Sequence, residues 1–436
     1  MTAEVAIINS NAVALAADSA VTVGGGKKIY NSAIKLFTLS KTEPVGVMIY
    51  GNADLISAPW ETLIKLFRKH IHNKCFNNLK TYGDSFFKFL NANSKFFPEK
   101  EQDRWIENQS VMWYQDILKE TEKTFEEEKI HGNHFDDDER SKLLELNINK
   151  FHEFLSSRPI TLDINNSEAK IINKKAKNAV KEAINYLFRD FTLSKKSLNN
   201  LYDIAFFCVY RHTFLRNSSG IVIAGFGDDE IYPSVITYEV AGVYDNKLIY
   251  RTIDGKTIIS NGESDAGIIA FAQEDMVATL MQGVNPNLLE YMNSHINQSM
   301  TDIKNFIEEN FYTDSTEQYI PIDKKTLGDN FQQLIDASIK NLQNQIKEDH
   351  IAPVVNMVAS LPKDELAAMA ESLVNLTAFK RRITESLETV GGPIDVAVIS
   401  KGDGFIWVKR KHYFPAELNQ HFFTNYFRCK EHEEDK

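Results

Sequence analysis

The hydrophobic pattern of the chain opens with two short strand pairs. Four apolar residues at 5–8 predict a buried strand, the turn residues Asn9-Ser10-Asn11 follow, and 12–17 predict the returning strand. Residues 35–39 and 45–50 predict a second hairpin. The first 50 residues are therefore expected to form strands.

Beyond residue 54 the pattern changes to one that is typical of helices. Up to about residue 214, Leu, Phe, Lys and Glu recur at three-to-four spacing and glycine is scarce. Strand patterns then return in 220–226, 234–240, 247–252 and 256–259. A second helical stretch is predicted over 266–388 with a loop at 312–325, and two strands at 394–400 and 405–410 close the chain.

These alternations predict one core that is interrupted by helical insertions. The predicted division is core at 2–58, helical insertion at 59–217, core at 218–285, second helical insertion at 286–352, core helix and strands at 353–412, and a tail at 413–436.

Composition narrows the class of protein. A chain of 436 residues is long enough to bury a core without disulfides, and 43% apolar with 25% charged residues excludes wholesale disorder. The net charge of −11 argues against broad nucleic-acid binding and against binding to anionic membranes, because both require a positive surface.

The cysteines and the N-terminus favour a reducing compartment. Cys75, Cys208 and Cys429 have no disulfide or metal spacing, no apolar run approaches the ~20 residues of a membrane span, and Met1–Glu4 does not resemble a signal peptide. The His and Asp cluster at 131–139 reads as a solvated loop. We therefore expect a cytoplasmic protein without a metal or another cofactor.

The residues that could carry out a catalytic reaction are concentrated near the N-terminus. Methionine before a small residue is normally removed, which would leave Thr2 as a free N-terminus. Its hydroxyl is a weak nucleophile, but its own α-amine can act as general base. A buried lysine nearby would lower the pKa of that amine, and the lysine would need a carboxylate partner. Asp18 and Lys35, at predicted strand ends, are the candidate pair.

These residues stand in a pattern that resembles proteasome β-type subunits and bacterial proteasome-like peptidases. The similar positions are Thr2–Ile7, Val13–Ser19, Thr22, Gly24, Lys35, Tyr50–Asp54, Val222–Asp228 and Gly391–Ile399. The resemblance implies an α+β fold, the four-layer αββα sandwich of N-terminal-nucleophile hydrolases, here with large α-helical insertions.

The resemblance also implies roles for single residues. Thr2 would be nucleophile and base, Asp18 and Lys35 the supporting ion pair, and the N–H of Gly51 an oxyanion donor. Thr22 would pair with the substrate backbone. The pocket for the residue before the cleaved bond would be lined by Val21, Ala33, Ile49 and Ala53.

The family carries further polar residues that steady the N-terminal amine. An Asp and a Ser precede its late Gly-Gly, and this sequence has Leu387 and Val390 at those positions. Glu388 and Thr389 are candidate substitutes after a shift of one residue. The other supporting serine of the family has Ser260 or Asn261 as its candidate counterpart.

The sequence thus predicts a threonine endopeptidase that acts on polypeptides in a homo-oligomeric ring, with an ATP-dependent unfoldase as a candidate partner. Nucleic acid and membranes are not expected partners. Two alternatives stay open. One is an N-terminal-nucleophile amidase that acts on a small amide, since the fold class hosts both reactions. The other is a catalytically inactive scaffold subunit, which retention of Met1 would favour.

Overall fold

The computed structural model describes residues 3–23, 28–130, 136–213, 217–260, 266–310, 324–384 and 390–427. These residues form helices and antiparallel sheets, an α+β architecture. The chain divides into two compact units. The first unit comprises Met1–Leu36 and Ser260–Lys436, and the second unit comprises Phe37–Ile259.

The strands are mostly short. They are β1 (Ala3–Ile8), β2 (Ala12–Ala17), β3 (Val21–Val23), β4 (Lys28–Tyr30), β5 (Leu36–Thr38), β6 (Val45–Gly51), β7 (Asp54–Leu55), β8 (Ala58–Pro59), β9 (Ser219–Gly225), β10 (Ser234–Tyr244), β11 (Lys247–Thr252), β12 (Ile258–Ile259), β13 (Gly267–Ala272), β14 (Asp395–Ser400) and β15 (Gly404–Lys409).

The helices fall between these strands. They are α1 (Trp60–Ile71), α2 (Leu79–Ala92), α3 (Glu99–Ile130), α4 (Asp137–Ser156), α5 (Asn166–Leu187), α6 (Lys195–Tyr210), α7 (Asp275–Gln282), α8 (Pro286–Asn310), α9 (Lys324–Ile346), α10 (Ala352–Ser360), α11 (Lys363–Ile383) and α12 (Gln420–Phe427). Within the described ranges, none of them has both the length and the apolar content that a membrane crossing requires.

The first unit is built on a five-stranded antiparallel sheet in the order β13-β1-β2-β14-β15. Both β1 and β2 are buried along their whole length, and their residues are apolar at every position except Glu4 of β1. The predicted hairpin at 5–8 and 12–17 is confirmed, because Ile8 pairs with Val13 and Glu4 with Ala17.

Helix α11 covers one face of this sheet. Alternate residues of β1, β2 and β14, such as Val5, Ala14 and Val396, pack against Leu366 and Ala370 of the helix. Because side chains alternate across a strand, Glu4, Ala17 and Asp395 project from the opposite face. The register places these three residues in one row across the sheet.

One sequence prediction in this unit is wrong. Helix was expected from residue 266, but 267–272 form β13, an edge strand whose Ala270 pairs with Val5 of β1. The segment is a short apolar run, in which helical and strand periodicity cannot be told apart, so pairing with β1 decides its structure. The predicted loop at 312–325 lies largely outside the described residues, because 311–323 are not among them.

The second unit carries a sheet in the order β11-β10-β9-β6-β5, with β12 beside β10. The predicted second hairpin is confirmed, since β5 and β6 are neighbours in this sheet. Helix α2 packs on the sheet, where the ring of Phe87 stacks on Tyr250 at 4.2 Å and contacts Tyr238 at 4.7 Å. Helices α3–α6 share an apolar core with buried residues such as Tyr114 and Ile204, and this core includes Tyr244 of β10 and Ile249 of β11.

Local sequence fixes the starts of two helices in this unit. Asp136 and Asn165 cap α4 and α5, and each forms a reciprocal capping box with the glutamate three residues later, Glu139 and Glu168. Each box satisfies backbone N–H groups that the first helical turn leaves without a partner. The loop predicted at 131–139 is therefore wrong for 137–139, which begin α4, while 131–135 lie outside the described residues.

Candidate functional site

Asp18 connects distant parts of the first unit. Its side chain is fully buried directly after β2. Oδ1 accepts the N–H of Ala3 at 3.1 Å and binds Lys35, while Oδ2 accepts the N–H of Gly391 at 3.0 Å and of Ala20 at 3.3 Å. These hydrogen bonds compensate the carboxylate for the hydration that it loses on burial. The arrangement fixes both the position and the orientation of this group.

Lys35 lies just before β5 with only 4% of its surface exposed. Its Nζ binds Oδ1 of Asp18 and lies 3.3 Å from Oε1 of Glu4. A buried ammonium group is costly unless carboxylates compensate its desolvation, and here two of them do so. The side-chain amine is thereby held between β1 and the segment that follows β2.

Glu4 is the residue of this cluster that the sequence analysis missed. It occupies the second position of β1, its side chain is fully buried, and its strand neighbours in register are Ala17 and Phe271. A signal was present in the sequence, because a single ionisable residue inside an otherwise apolar strand requires a charged partner when it is buried. That rule would have placed a cation beside β1.

The late Gly-Gly turn lies against the same cluster. The N–H of Ser19 donates to the carbonyl of Gly391 at 3.2 Å, and the Ser19 hydroxyl donates to the carbonyl of Pro393. Gly392 has a φ of 78°, and a Cβ there would lie 2.8 Å from the side chain of Asn31. A cleft of about 160 Å³ adjoins the turn and is lined by Ile29, Asn31, Arg382, Val390, Gly391 and Gly392.

In the second unit, Gly51 ends β6 with a φ of 78°. A Cβ at this position would lie 2.6 Å from the carbonyl oxygen of Ser218, so the turn itself requires glycine. The hydroxyl of Ser219 donates to the carbonyl of Asn52 at 3.2 Å and accepts from Nε1 of Trp60 at 2.8 Å. These contacts hold the turn that follows Gly51.

A charged cluster lies beside that turn. The Ser218 hydroxyl donates to Oε1 of Glu239 at 3.0 Å, and Nε of Arg251 donates to Oε2 at 2.8 Å. Nε2 of His212 lies 3.5 Å from the same Oε2. Burial, and then the positive charge of Arg251, lower the pKa of His212 despite the nearby carboxylate.

The four residues proposed to line a pocket lie in different surroundings. In the first unit Val21 and Ala33 are half-buried, and the N–H of Ala33 donates to the carbonyl of Ser19 at 3.1 Å. In the second unit Ile49 is only 5% exposed, and Ala53 is exposed.

Several predicted site residues cannot be placed. Thr2, Asn261, Glu388 and Thr389 lie outside the described residues. The backbone of Thr22 belongs to β3 and pairs with Ile29, and its side chain is not described. Ser260 is half-buried and follows β12.

Among the described residues, no three His, Cys, Asp or Glu side chains are grouped closely enough to hold a metal ion.

Comparison with known proteins gives a structural match without a sequence match. No protein-family model matches the chain, and no curated protein matches it. The chain is similar to the solved structure of Anbu (ancestral beta-subunit) from Yersinia bercovieri, over 97% of this chain and 94% of that chain, with 9% sequence identity and a TM-score of 0.25. A TM-score this low supports no inference about activity.

Proposed function

We propose that the protein is a proteasome-like N-terminal-threonine hydrolase that cleaves peptide bonds with Thr2 after removal of Met1. One observation carries the proposal. The buried Asp18–Lys35 ion pair is hydrogen-bonded to the N–H of Ala3, the residue that follows Thr2 in the chain. An ion pair that contacts the residue after Thr2 supports the assignment of Thr2 as the nucleophile.

Covalent geometry strengthens this connection. The nitrogen of Ala3, 3.1 Å from Oδ1 of Asp18, is bonded to the carbonyl carbon of Thr2. Asp18 therefore binds an atom that is covalently bonded to the proposed nucleophilic residue, which supports the proposal.

The proposed reaction has two steps. The α-amine of Thr2 takes the hydroxyl proton, the oxygen attacks the substrate carbonyl carbon, and the leaving amine departs with that proton to give an ester. Water then attacks the ester carbonyl carbon, the acyl group leaves as a carboxylic acid, and a proton from that water restores the threonine hydroxyl. The positive charge of Lys35 disfavours protonation of the amine, which keeps it available as a base.

The remaining roles rest on the family resemblance. Gly51 is proposed as an oxyanion donor through its backbone N–H. The pocket proposed for the residue before the cleaved bond is small and uncharged, with Val21, Ala33, Ile49 and Ala53 as its lining. Such a pocket favours aliphatic or aromatic residues over Arg or Asp by at least about tenfold, because a buried charge would lose its hydration without a partner.

A homo-oligomeric ring in the cytoplasm, served by an ATP-dependent unfoldase, completes the proposal. Support for self-association comes from β15, an edge strand whose Ile406 and Val408 are about half exposed. Exposed apolar side chains on a sheet edge are typical of surfaces that a partner covers. Sedimentation equilibrium would show several copies per particle, and a monomer at all concentrations would contradict the ring.

A fluorogenic peptide panel tests the proposed activity. We expect cleavage by the wild-type protein, loss of cleavage in Thr2→Ala, and partial retention in Thr2→Ser, which keeps the hydroxyl. Cleavage of small amides alone would identify an amidase instead. Absence of all hydrolysis together with retained Met1 would identify a scaffold subunit.

A further inference from the structure

We propose that α8 is a docking surface for a second copy of this chain, and that the two α8 helices pack antiparallel to each other. The surface consists of five apolar residues, which we call the α8 stripe: Leu288, Tyr291, Met292, Ile303 and Phe306. The inference goes beyond the proposed function, because neither Thr2 nor peptide cleavage enters it.

The side chains of the α8 stripe are exposed although they are large and apolar. Each has between 41% and 66% of its surface exposed. Another face of α8 packs against α9, because Nζ of Lys304 lies 3.4 Å from the place of a Cβ on Gly328, and the half-buried Met300 and Ile307 lie on the same side of the helix as Lys304. The stripe is therefore a second apolar face of α8.

The positions of the stripe along the helix are symmetric. Leu288 and Phe306 lie nine residues on either side of Asn297, and Tyr291 and Ile303 lie six residues on either side of it. In a two-fold interface, residue i of one copy contacts residue j of the other, and residue j contacts residue i. Two antiparallel α8 helices related by a two-fold axis at Asn297 therefore bring opposite apolar ends together.

This arrangement matches apolar side chains one by one. Leu288 meets Phe306 of the second copy, and Met292 meets Ile303, because each pair lies at the same height and on the same side of the helix. Helices join along a seam through residues at this three-to-four spacing. The dipoles of antiparallel helices also point in opposite directions, which favours this arrangement over a parallel one.

Polar residues occupy the middle of the stripe. The ring of His295 stacks on Tyr291, with the ring centroids 6.1 Å apart and the ring planes 2° from parallel. In the proposed pair, Asp302 of one copy lies beside Tyr291 of the other, and the phenol hydroxyl can donate a hydrogen bond to the carboxylate. A parallel pair would instead bring the two Asp302 carboxylates together, and their like charges disfavour it.

The exposed area is large enough for a specific pair. A large apolar side chain presents roughly 150–250 Å² of surface, so five such side chains that are about half exposed offer roughly 500 Å² per copy. Two copies would bury roughly 1,000 Å², which is the lower limit for specific interfaces between proteins. The apolar residues alone thus reach the area that a second copy needs.

Disulfide cross-linking tests the pairing. Cys75 and Cys429 are first replaced by Ser, and full-length variants with Met292→Cys, Ile303→Cys or both are oxidised with copper phenanthroline. In the antiparallel pair the two copies of residue 292 lie roughly 15 Å apart along the helix axis, too far for a disulfide, whereas residue 292 faces residue 303. We expect at least about tenfold more covalent dimer from the double variant than from either single variant, by non-reducing electrophoresis.

A charged residue in the stripe tests the surface in a second way. Phe306→Glu should raise the dissociation constant at least about a hundredfold in sedimentation equilibrium, because the two-fold axis buries the added charge twice. Met357→Glu is the matched control, since Met357 of α10 is 64% exposed and lies outside the stripe, and it should leave the dissociation constant unchanged. Leu288→Ser replaces Phe306→Glu if that variant does not fold.

Each result supports or overturns the pairing. Equal cross-linking of the single and double variants would show a parallel pair, and no covalent dimer in any variant would show that α8 does not meet a second α8. Either result overturns the proposal, as does an equal effect of Phe306→Glu and Met357→Glu on association. Cross-linking does not require hydrolysis, so a cross-linked double variant of a protein that cleaves nothing supports the pairing and contradicts only the peptidase.

Discussion

The backbone N–H of Gly391 donates a 3.0 Å hydrogen bond to Oδ2 of Asp18, across a separation of 373 residues. The same carboxylate accepts the N–H of Ala3 at the start of β1. One buried group therefore joins the two sequence-distant segments from which the first unit is assembled. Substitutions at Asp18 are expected to affect stability as well as activity.

Asp18→Asn is predicted to lower the free energy of unfolding by about 2–4 kcal/mol. Each oxygen of Asp18 accepts at least one backbone N–H, so the amide nitrogen of asparagine would face a donor in either orientation. Urea denaturation measures the loss. The matched control is Asp403→Asn, an exposed aspartate that binds Lys363 and should cost far less, because water screens this ion pair. Equal costs for the two variants would contradict the account.

Lys35→Met is predicted to reduce peptide cleavage by at least about a hundredfold while binding of substrate changes little. The substitution keeps a chain of similar length but removes the cation that Asp18 and Glu4 share. Steady-state kinetics should show the loss in kcat, and the acid limb of the pH–rate profile should move to higher pH because the amine would hold its proton more strongly. A loss confined to KM would show that Lys35 acts on binding instead.

Gly51→Ala is predicted to destabilise the protein by about 1–3 kcal/mol, independently of any catalytic role. The residue has a positive φ, and its Cβ would meet the carbonyl oxygen of Ser218. Gly255→Ala in the same unit is the control, because no described atom lies within 4 Å of the Cβ it would gain. Thermal unfolding of both variants tests this. Similar unfolding temperatures would show that the turn does not depend on Gly51.

Native-state thiol labelling is predicted to distinguish Cys75 from Cys208. Cys75 is exposed, and its hydrogen bond to Glu43 raises its pKa, whereas burial raises the pKa of Cys208 to about 12. At pH 8, iodoacetamide should modify Cys75 at least about a hundredfold faster, as peptide mapping would show. Comparable rates would mean that the core shared by α3–α6 opens readily in solution.

The sequence alone predicted the features that depend on the local order of apolar and polar residues. The hairpin of β1 and β2 followed from two apolar runs around Asn9–Asn11, and Asp18 and Lys35 were selected by their positions at strand ends. Glu4 was missed because the predicted strand began at residue 5, whereas β1 begins at Ala3. Strand β13 was missed because its apolar segment has no distinct period and acquires its structure by pairing with β1. The contact of Gly391 with Asp18 depends on packing that no local pattern reports.

The central claim is that Thr2 is the free N-terminal nucleophile beside Asp18 and Lys35. Intact mass before and after treatment with a peptide epoxyketone tests it most directly, because this reagent needs both the hydroxyl and the α-amine of an N-terminal residue. We predict a protein that lacks Met1 and gains one equivalent of reagent, while Thr2→Ala gains none. A protein that retains Met1 and gains no reagent would contradict the claim.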